Sequence, residues 1–419
     1  MTRQTPPLWL LVVGVSFFAY WTLLVYCEIW QPEPVGLVAE FDSGRMLLVA
    51  VDPGSPAERI GLEPDDHIVA LDGQLVHNRL DWMALEANFR TGLPLTLTID
   101  RRGKRFTTSM SLRPISWGHL ATPDQFALRA VRFVQLVALG LAAFIIFKRP
   151  RDPVARIGAW LLASVAVLSL VLPPGLGAVW RGLPAPLGVL LWIPFVSTLA
   201  VAPIGFTFFA VFPRVVFRSR LAWSAIWAPV SAWLAWHAYY GYHLVYTPTH
   251  TTGLSDWSAF AVTASAAYVA GGLAMLIWNY RRLDDLNQRR RVRVLAVGAL
   301  VGGVSGGFVV LSSWLGSRAD LTRSFLASPM VMIGTLLFLT YPLSFAYAIL
   351  RHRLFDVSLI IRGGVRYALA RRVLLSVVPA LGVLLAIDFF LHRNSPLIVL
   401  FRAHGWVYVV LAVIAVVAQ

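Results

Sequence analysis

Ser305 stands in a setting that suits a nucleophile, because Gly303-Val304-Ser305-Gly306 lies in the middle of a long apolar run. Hydrolysis by a serine requires a histidine at the same depth to accept its proton. The histidines that follow Ser305 fall at the ends of apolar runs or in loops: His352, His392 and His404. The sequence therefore does not favour a serine hydrolase.

The glycines around Ser305 suggest a different role for this run. They recur at intervals of four residues, in two rows: Gly298, Gly302 and Gly306, and then Gly303 and Gly307. A face of small residues lets two helices approach closely in an apolar environment. We expect a packing helix here, rather than the site of an intramembrane protease of the rhomboid type, whose G-x-S-G motif the run resembles.

Metal and cofactor chemistry find no support in the sequence. A membrane zinc protease needs H-E-x-x-H on a helix, and none of the nine histidines belongs to such a motif. The single cysteine, Cys27, excludes an intramolecular disulfide and a cysteine-based zinc cluster. No nucleotide-binding loop or nucleic-acid motif occurs. We predict no catalytic residue, no metal ligand, no cofactor and no nucleic-acid partner.

An aromatic run at residues 233–243 is a further candidate site. Two interpretations stay open for it: an aromatic belt at a membrane surface, or a ligand pocket whose histidines respond to pH or bind a polar headgroup. The residues predicted for the pocket are Trp236, His237, Tyr240 and His243.

The elements that would position these residues are predicted to be membrane helices. Hydrophobic residues make up 58% of the 419 residues and charged residues 14%, against about 25% charged residues in a soluble chain. A helix needs about 20 apolar residues to cross hydrocarbon. Ten runs approach that length: 8–27, 126–147, 157–173, 186–212, 221–244, 257–279, 294–316, 325–350, 373–391 and 405–419. The predicted fold class is an α-helical polytopic membrane protein with about ten transmembrane helices and an inserted small α+β domain.

Arginine and lysine between these runs predict their orientation. Nineteen basic residues fall in four alternate connections, 148–156, 213–220, 281–293 and 351–372, against five in the other connections after residue 126. Basic residues near span ends are retained in the cytoplasm. Residues 28–125 are therefore expected outside the cytoplasm, on the outer face of a bacterial inner membrane, and the carboxyl terminus inside.

Residues 28–125 have the pattern of a soluble domain. Alternating apolar residues predict strands at 46–51, 67–71 and 95–99. A short helix capped by Ser55 and a second helix over 81–90, beginning at Asp81, are also predicted.

The run VDPGSPAERIGLEPDDHIVALDGQ, residues 51–74, resembles the PDZ domains of bacterial periplasmic proteases. Asp65 replaces the glycine usual in that signature, and Asp tolerates the left-handed backbone that a glycine would supply. The resemblance implies that residues 35–38 receive a peptide carboxylate, and that the peptide adds as a strand beside residues 37–41 and against the helix 81–90. The implied peptide-binding residues are Val35, Gly36, Leu37, Val38, Ala39, Trp82 and Leu85. A PDZ fold with an occluded groove is the alternative.

Residues 341–372 resemble a P-x-S-F-A-Y-A-I-x-x-x-R-L-F-D motif in the multi-span input regions of bacterial sensor proteins, among them ComP-type histidine kinases and SpoIIE-type phosphatases. Basic residues flank LFDVSLII, so this segment is expected at an anionic inner leaflet. The predicted signal connector comprises Arg351, Arg353, Phe355, Asp356, Arg362 and Arg366.

These features predict five regions and one function. The regions are an anchor helix (1–27), an extracytoplasmic PDZ domain (28–125), a seven-helix membrane bundle (126–350), a cytoplasmic basic connector (351–372) and two last helices (373–419). The predicted function is a membrane sensor whose PDZ domain binds a peptide or a protein C-terminus and signals to a cytoplasmic effector, fused or separate. The lipid bilayer is a further partner. The alternatives are a scaffold subunit for a protease, an intramembrane protease and a transporter.

Overall fold

The computed structural model describes residues 6–30, 32–42, 45–115, 123–169, 172–247, 258–283, 286–315, 333–334, 337–338 and 340–353. Helix α1 (Leu8–Trp30) leads into a small sheet domain, and further helices follow. The sheet domain contains β1 (Leu37–Asp42), β2 (Arg45–Val51), α2 (Pro56–Arg59), β3 (His67–Leu71), β4 (Gln74–Leu75), α3 (Arg79–Glu86), β5 (Pro94–Arg101) and β6 (Lys104–Ser111).

The later helices are α4 (Pro123–Lys148), α5 (Pro153–Ala166), α6 (Leu176–Arg181), α7 (Ala185–Leu190), α8 (Trp192–Leu199), α9 (Val201–Val211), α10 (Arg220–Tyr246), α11 (Ser258–Arg281), α12 (Leu286–Leu315) and α13 (Thr340–Arg353). Together with α1 they enclose one apolar core. The sheet domain has a core of its own.

The sheet is antiparallel, with strand order β1-β2-β3-β5-β6 and β4 paired to β3. Its strands show the period of two that the sequence predicted, since the side chains that alternate toward the core are buried. Examples on β2 and β5 are Met46, Leu48, Leu95, Leu97 and Ile99. The predicted strands at 46–51, 67–71 and 95–99 are confirmed with small extensions.

Local caps fix the two helices of the sheet domain. Ser55 accepts a hydrogen bond from the Glu58 backbone N–H at 3.2 Å, as its predicted role as N-cap requires. The prediction that the second helix begins at Asp81 is wrong by two residues. Asn78 is its N-cap and accepts from the Asp81 N–H at 2.9 Å. Asp81 accepts from the His77 N–H at 3.0 Å, so both side chains accept from backbone donors at the start of the helix.

The turn before β3 contains the predicted left-handed aspartate. Asp65 has φ of 70°, so it adopts the backbone that the glycine of the PDZ signature would supply. Beside it, the buried Asp66 carboxylate accepts from Arg101 Nε at 2.6 Å. Burial opposes ionisation of Asp66, but the hydrogen bonds and charge of Arg101 outweigh it, so the pKa of Asp66 lies below its usual range. This ion pair ties the turn to β5.

The prediction of about ten transmembrane helices is wrong. In the part of the chain that the structure describes, two helices are long and apolar enough to cross a membrane, Leu8–Trp30 and Leu128–Lys148. A third span results only if the bent pair Ala185–Leu199 and Val201–Val211 is counted as one. The predicted spans at 373–391 and 405–419, and most of 325–350, lie outside the described residues.

The overcount arises because the length of an apolar run does not reveal where its helix breaks. The run 186–212 bends by 70° between α8 and α9. Pro203 has no N–H to donate to the Leu199 carbonyl four residues back, so a straight helix cannot continue there. Helix α5 has only 14 residues, about 21 Å at 1.5 Å per residue. Tryptophan, tyrosine and histidine occupy much of the C-terminal half of α10, and this helix is not among those apolar enough to cross a membrane.

Candidate peptide-binding groove and its attachment to the helices

Gly36 forms the loop that the resemblance assigns to a peptide carboxylate. Its φ is 78°, and a Cβ at this position would lie 2.1 Å from the Ser55 Cβ, so both the backbone conformation and the available space require glycine. The loop is held against the start of α2. The Gly36 carbonyl accepts from the Asp52 N–H at 2.8 Å, and the Val35 carbonyl accepts from the Ala57 N–H at 3.1 Å.

Strand β1, which follows this loop, lies at the edge of the sheet. It pairs with β2 from Leu37 opposite Val51 to Asp42 opposite Arg45, and no other described strand borders it. Along an antiparallel edge, alternate N–H and C=O groups face away from the paired neighbour and can receive another strand. The register shifts between Val38 and Ala39, so a bulge bends the strand just beyond the loop.

The predicted peptide-binding residues meet around the core of the sheet domain. Val35, Trp82 and Leu85 are at most 8% exposed and belong to that core. Leu37 and Ala39 are partly buried against the same core. Val35, Trp82 and Leu85 therefore pack behind the predicted groove, whereas Leu37 and Ala39 on β1 retain accessible surface. Peptide contact by these residues stays a prediction.

Helix α3, the other wall of the predicted groove, packs on two cores at once. Trp82 and Leu85 face the core of the sheet domain, and the Trp82 ring meets Phe89 edge to face at 6.0 Å. Ala87 and Leu80 instead join the core of the helices. The sheet domain is therefore attached to the helices through α3, the second wall of the predicted groove, as well as through its chain ends.

Glu86 lies where α3 meets the helices. Burial raises the pKa of its carboxyl to about 7 from 4.5, although the Arg79 charge and a hydrogen bond with Trp82 oppose this shift. The Glu86 backbone carbonyl accepts from the Gly175 N–H at 3.1 Å, one residue before α6. A titratable group that changes charge near neutral pH thus sits at the junction.

An ion pair joins the two helices between which the sheet domain is inserted. Arg132 of α4 donates Nε to both carboxylate oxygens of Glu28 of α1 at 3.0 Å, and Nη2 also contacts Glu28. Arg132 and Glu28 are 5% and 9% exposed. Gln135 and Ser169 accept the remaining guanidinium hydrogen bonds, at 2.6 and 3.1 Å.

The chain ends of the sheet domain also meet each other. Pro32 and Pro114 form a β-bridge, and the Glu33 N–H donates to the Arg113 carbonyl at 2.8 Å. The two chain ends of the sheet domain therefore form a neck held together by backbone contacts, and the buried Glu28–Arg132 pair joins the two helices that flank the domain. Sequence reasoning missed this pair, although Arg132 lies within a predicted span and opposite charges in apolar runs are a signal for pairing.

The four residues predicted to form a ligand pocket on α10 all take part in ring or hydrogen-bond contacts. The Trp236 and Tyr240 rings stack at 6.0 Å, and the His237 ring stacks on Phe195 of α8 at 4.4 Å. The His243 Nδ1 lies 2.8 Å from the Thr247 hydroxyl. The pocket stays a prediction, and the aromatic contacts show a packing role for Trp236, His237 and Tyr240.

The glycine face of α12 packs closely against α13. A Cβ on Gly298 would lie 2.2 Å from the Ser344 Cβ, and one on Gly302 would lie 2.5 Å from the Tyr341 Cβ. Ser305 donates its hydroxyl to the Val301 carbonyl one turn earlier at 2.7 Å. The expectation of a packing face is confirmed at Gly298 and Gly302.

The connector motif is described only at its start. Phe345 is fully buried among rings from α9 and α13. Arg351 and Arg353 lie at the end of α13, and their side chains are outside the described part. Phe355, Asp356, Arg362 and Arg366 lie beyond the described residues. The signalling role of the connector therefore stays a prediction.

Comparison with known families identifies the sheet domain. A family model described as a PDZ domain matches residues 48–86, which run from β2 through α3. Comparison with curated proteins gave no match. The chain therefore contains a PDZ domain, a class of domain that binds peptides or protein C-termini by adding them as a strand.

Proposed function

We propose that this chain is a membrane-anchored input module. Its PDZ domain binds a peptide or a protein C-terminus on the outer side of the membrane, and occupancy changes the packing of the helices, which a cytoplasmic effector reads. The observation that carries this proposal is the position of the PDZ domain. It is inserted between two helices that could span a membrane, and a buried ion pair joins those two helices.

The exposed surface of α1 supports insertion in a bilayer. Trp9 and Trp30, near its two ends, are 55% and 66% exposed, and much of the surface between them is apolar. Twenty-one residues of helix separate them, about 31 Å, which matches the hydrocarbon thickness of a bilayer. Tryptophan favours both edges of that hydrocarbon layer.

The charges support the outer location of the PDZ domain. At the end of α1 far from the PDZ domain, the Arg156 guanidinium lies over the Trp9 ring at 5.4 Å. The basic segment 148–156 therefore lies at that same end, where α4 finishes and α5 begins. Because basic residues are retained in the cytoplasm, the opposite end and its PDZ domain are favoured outside.

Peptide selection on the full chain tests the binding part of the proposal. The probe is a random decapeptide library with free C-terminal carboxylates, applied to the chain in lipid nanodiscs, and the enriched peptide is then labelled and titrated. Gly36→Ala forces a side chain into Ser55, so we expect affinity to fall about tenfold or more, equivalent to about 1.4 kcal/mol. An amidated copy of the peptide should bind as weakly.

Gly54→Ala is the matched control for this substitution. Gly54 has a similar φ of 75°, but a Cβ there would meet nothing within 4 Å. Both variants therefore strain the backbone, and only the first fills the loop. The groove would not be the binding site if wild type and Gly36→Ala bound the peptide equally and wild type bound the amidated copy as tightly as the free acid.

A further inference from the structure

The C-terminal end of α3 is joined to the helices by backbone hydrogen bonds. The Gly177 N–H donates to the Ala87 carbonyl at 2.8 Å, alongside the bond from Gly175 to Glu86. Asn88 Nδ2 donates to the Leu244 carbonyl at 3.0 Å. The last carbonyls of any helix lack partners within it. Here Gly175 and Gly177, at the start of α6, donate their N–H groups to the last carbonyls of α3. The Leu244 carbonyl of α10 accepts from the Asn88 side chain.

Gly177 of α6 lies in close contact with α10 and with the residues that follow α3. A Cβ on Gly177 would lie 2.7 Å from the Leu244 carbonyl oxygen, 3.2 Å from Asn88 Oδ1 and 3.3 Å from the Ala87 carbonyl oxygen. Two of these three neighbours are backbone atoms, which cannot turn aside as a side chain can. Any movement of the end of α3 must therefore be matched by α6 or α10.

The same helix is a wall of the peptide-binding groove. A peptide that enters between β1 and α3 contacts the face opposite to the one that packs on the helices. We propose that the junction of Ala87 and Asn88 with Gly177 and Leu244 is the contact through which groove occupancy reaches the helices. Gly177 and Asn88 are then positioning residues for peptide binding. This inference rests on the proposed peptide binding and names its route of transmission.

Coupling of this kind is reciprocal, because a change that alters the junction must alter peptide affinity, and peptide binding must alter the junction. Gly177→Ala should therefore change the affinity for the selected peptide about fivefold or more, the lower range of known couplings. Gly182→Ala is the control on the end of α6, since a Cβ there meets its nearest atom at an ordinary 3.4 Å. It should bind as wild type does.

Amide hydrogen exchange provides a measurement that peptide binding would leave unchanged if the junction only stabilised the fold. In the full chain in nanodiscs, saturating labelled peptide should change the exchange of the segment 172–182, which is remote from the groove-facing side of α3. If Gly177→Ala does not fold, Asn88→Ala takes its place in the titration, since it removes the side-chain hydrogen bonds to the Leu244 and Ala84 carbonyls.

The outcomes separate the two proposals. Peptide binding with changed exchange at 172–182 and altered affinity in the junction variant supports the coupling. Peptide binding with unchanged exchange and unchanged affinity overturns the coupling and leaves peptide binding standing. Absence of any peptide binding to the wild type overturns both.

Discussion

Glu28 and Arg132 show how single residues set the geometry of this molecule. Each is buried, and each is the partner of the other. Removing one side of such a pair leaves an unpaired buried charge, which typically costs about 3–5 kcal/mol. The pair therefore restrains the register between α1 and α4, the helices that flank the PDZ domain. The sequence shows both charges but not their contact, because the residues are 104 positions apart.

Glu86 makes stability depend on pH. Its pKa in the folded chain is about 7, above 4.5, so the protonated form stabilises the fold. This stabilisation is fully present below pH 4.5 and is lost as pH rises through about 7. The loss in the free energy of unfolding is at most about 3 kcal/mol. We expect the free energy of unfolding of the wild type to fall between pH 5 and 8, and Glu86→Gln to remove that fall.

Denaturant unfolding of the full chain at pH 5 and 8 measures this difference. Glu63→Gln, which changes an exposed carboxylate of the PDZ domain, should keep the pH dependence of the wild type. If Glu86→Gln and the wild type lost the same stability over this interval, Glu86 would not be the responsible group.

At the scale of elements, the sequence predicted what local patterns determine. Alternating residues and capping side chains act within a few positions, so the strands of the PDZ domain and the cap at Ser55 were predicted correctly. The prediction of ten spans failed in part because run length does not show where a helix breaks, as it does near Pro203 within one apolar run. The docking of α3 on α6 could not be predicted, because the hydrogen bonds between them join backbone atoms and leave little trace in residue types.

The pairing of α12 with α13 can be tested with two adjacent glycines. Gly302→Ala would place its Cβ 2.5 Å from the Tyr341 Cβ, so we expect it to lower the free energy of unfolding by about 1–3 kcal/mol through overpacking. At Gly303 a Cβ meets nothing within 4 Å. Gly303→Ala should be neutral or stabilise by about 0.5–1 kcal/mol, since alanine favours helix over glycine.

Unfolding of the purified chain in detergent measures both variants under one condition. The opposite order, with Gly303→Ala the more damaging substitution, would show that the described packing face is not the one that stabilises the pair.

The whole molecule is a PDZ domain built into a helical body at two places. Its neck connects to α1 and α4, and its helix α3 is hydrogen-bonded to α6 and α10. Two attachments restrict the orientation of the domain more than a single linker could. This restriction is what the proposed function requires, since peptide binding must alter the packing of the helices. Sequence reasoning predicted the insertion but treated the domain as tethered only at its ends.

Cysteine labelling tests the central claim that the PDZ domain faces outward while the basic segment 148–156 faces the cytoplasm. In a Cys27→Ser background, single cysteines replace two exposed residues, Lys104 in the PDZ domain and Arg151 at the basic end. Intact cells that express each chain are treated with a membrane-impermeant maleimide. We predict that Lys104→Cys is labelled in intact cells and Arg151→Cys only after permeabilisation. Labelling of Arg151→Cys alone in intact cells would contradict the account.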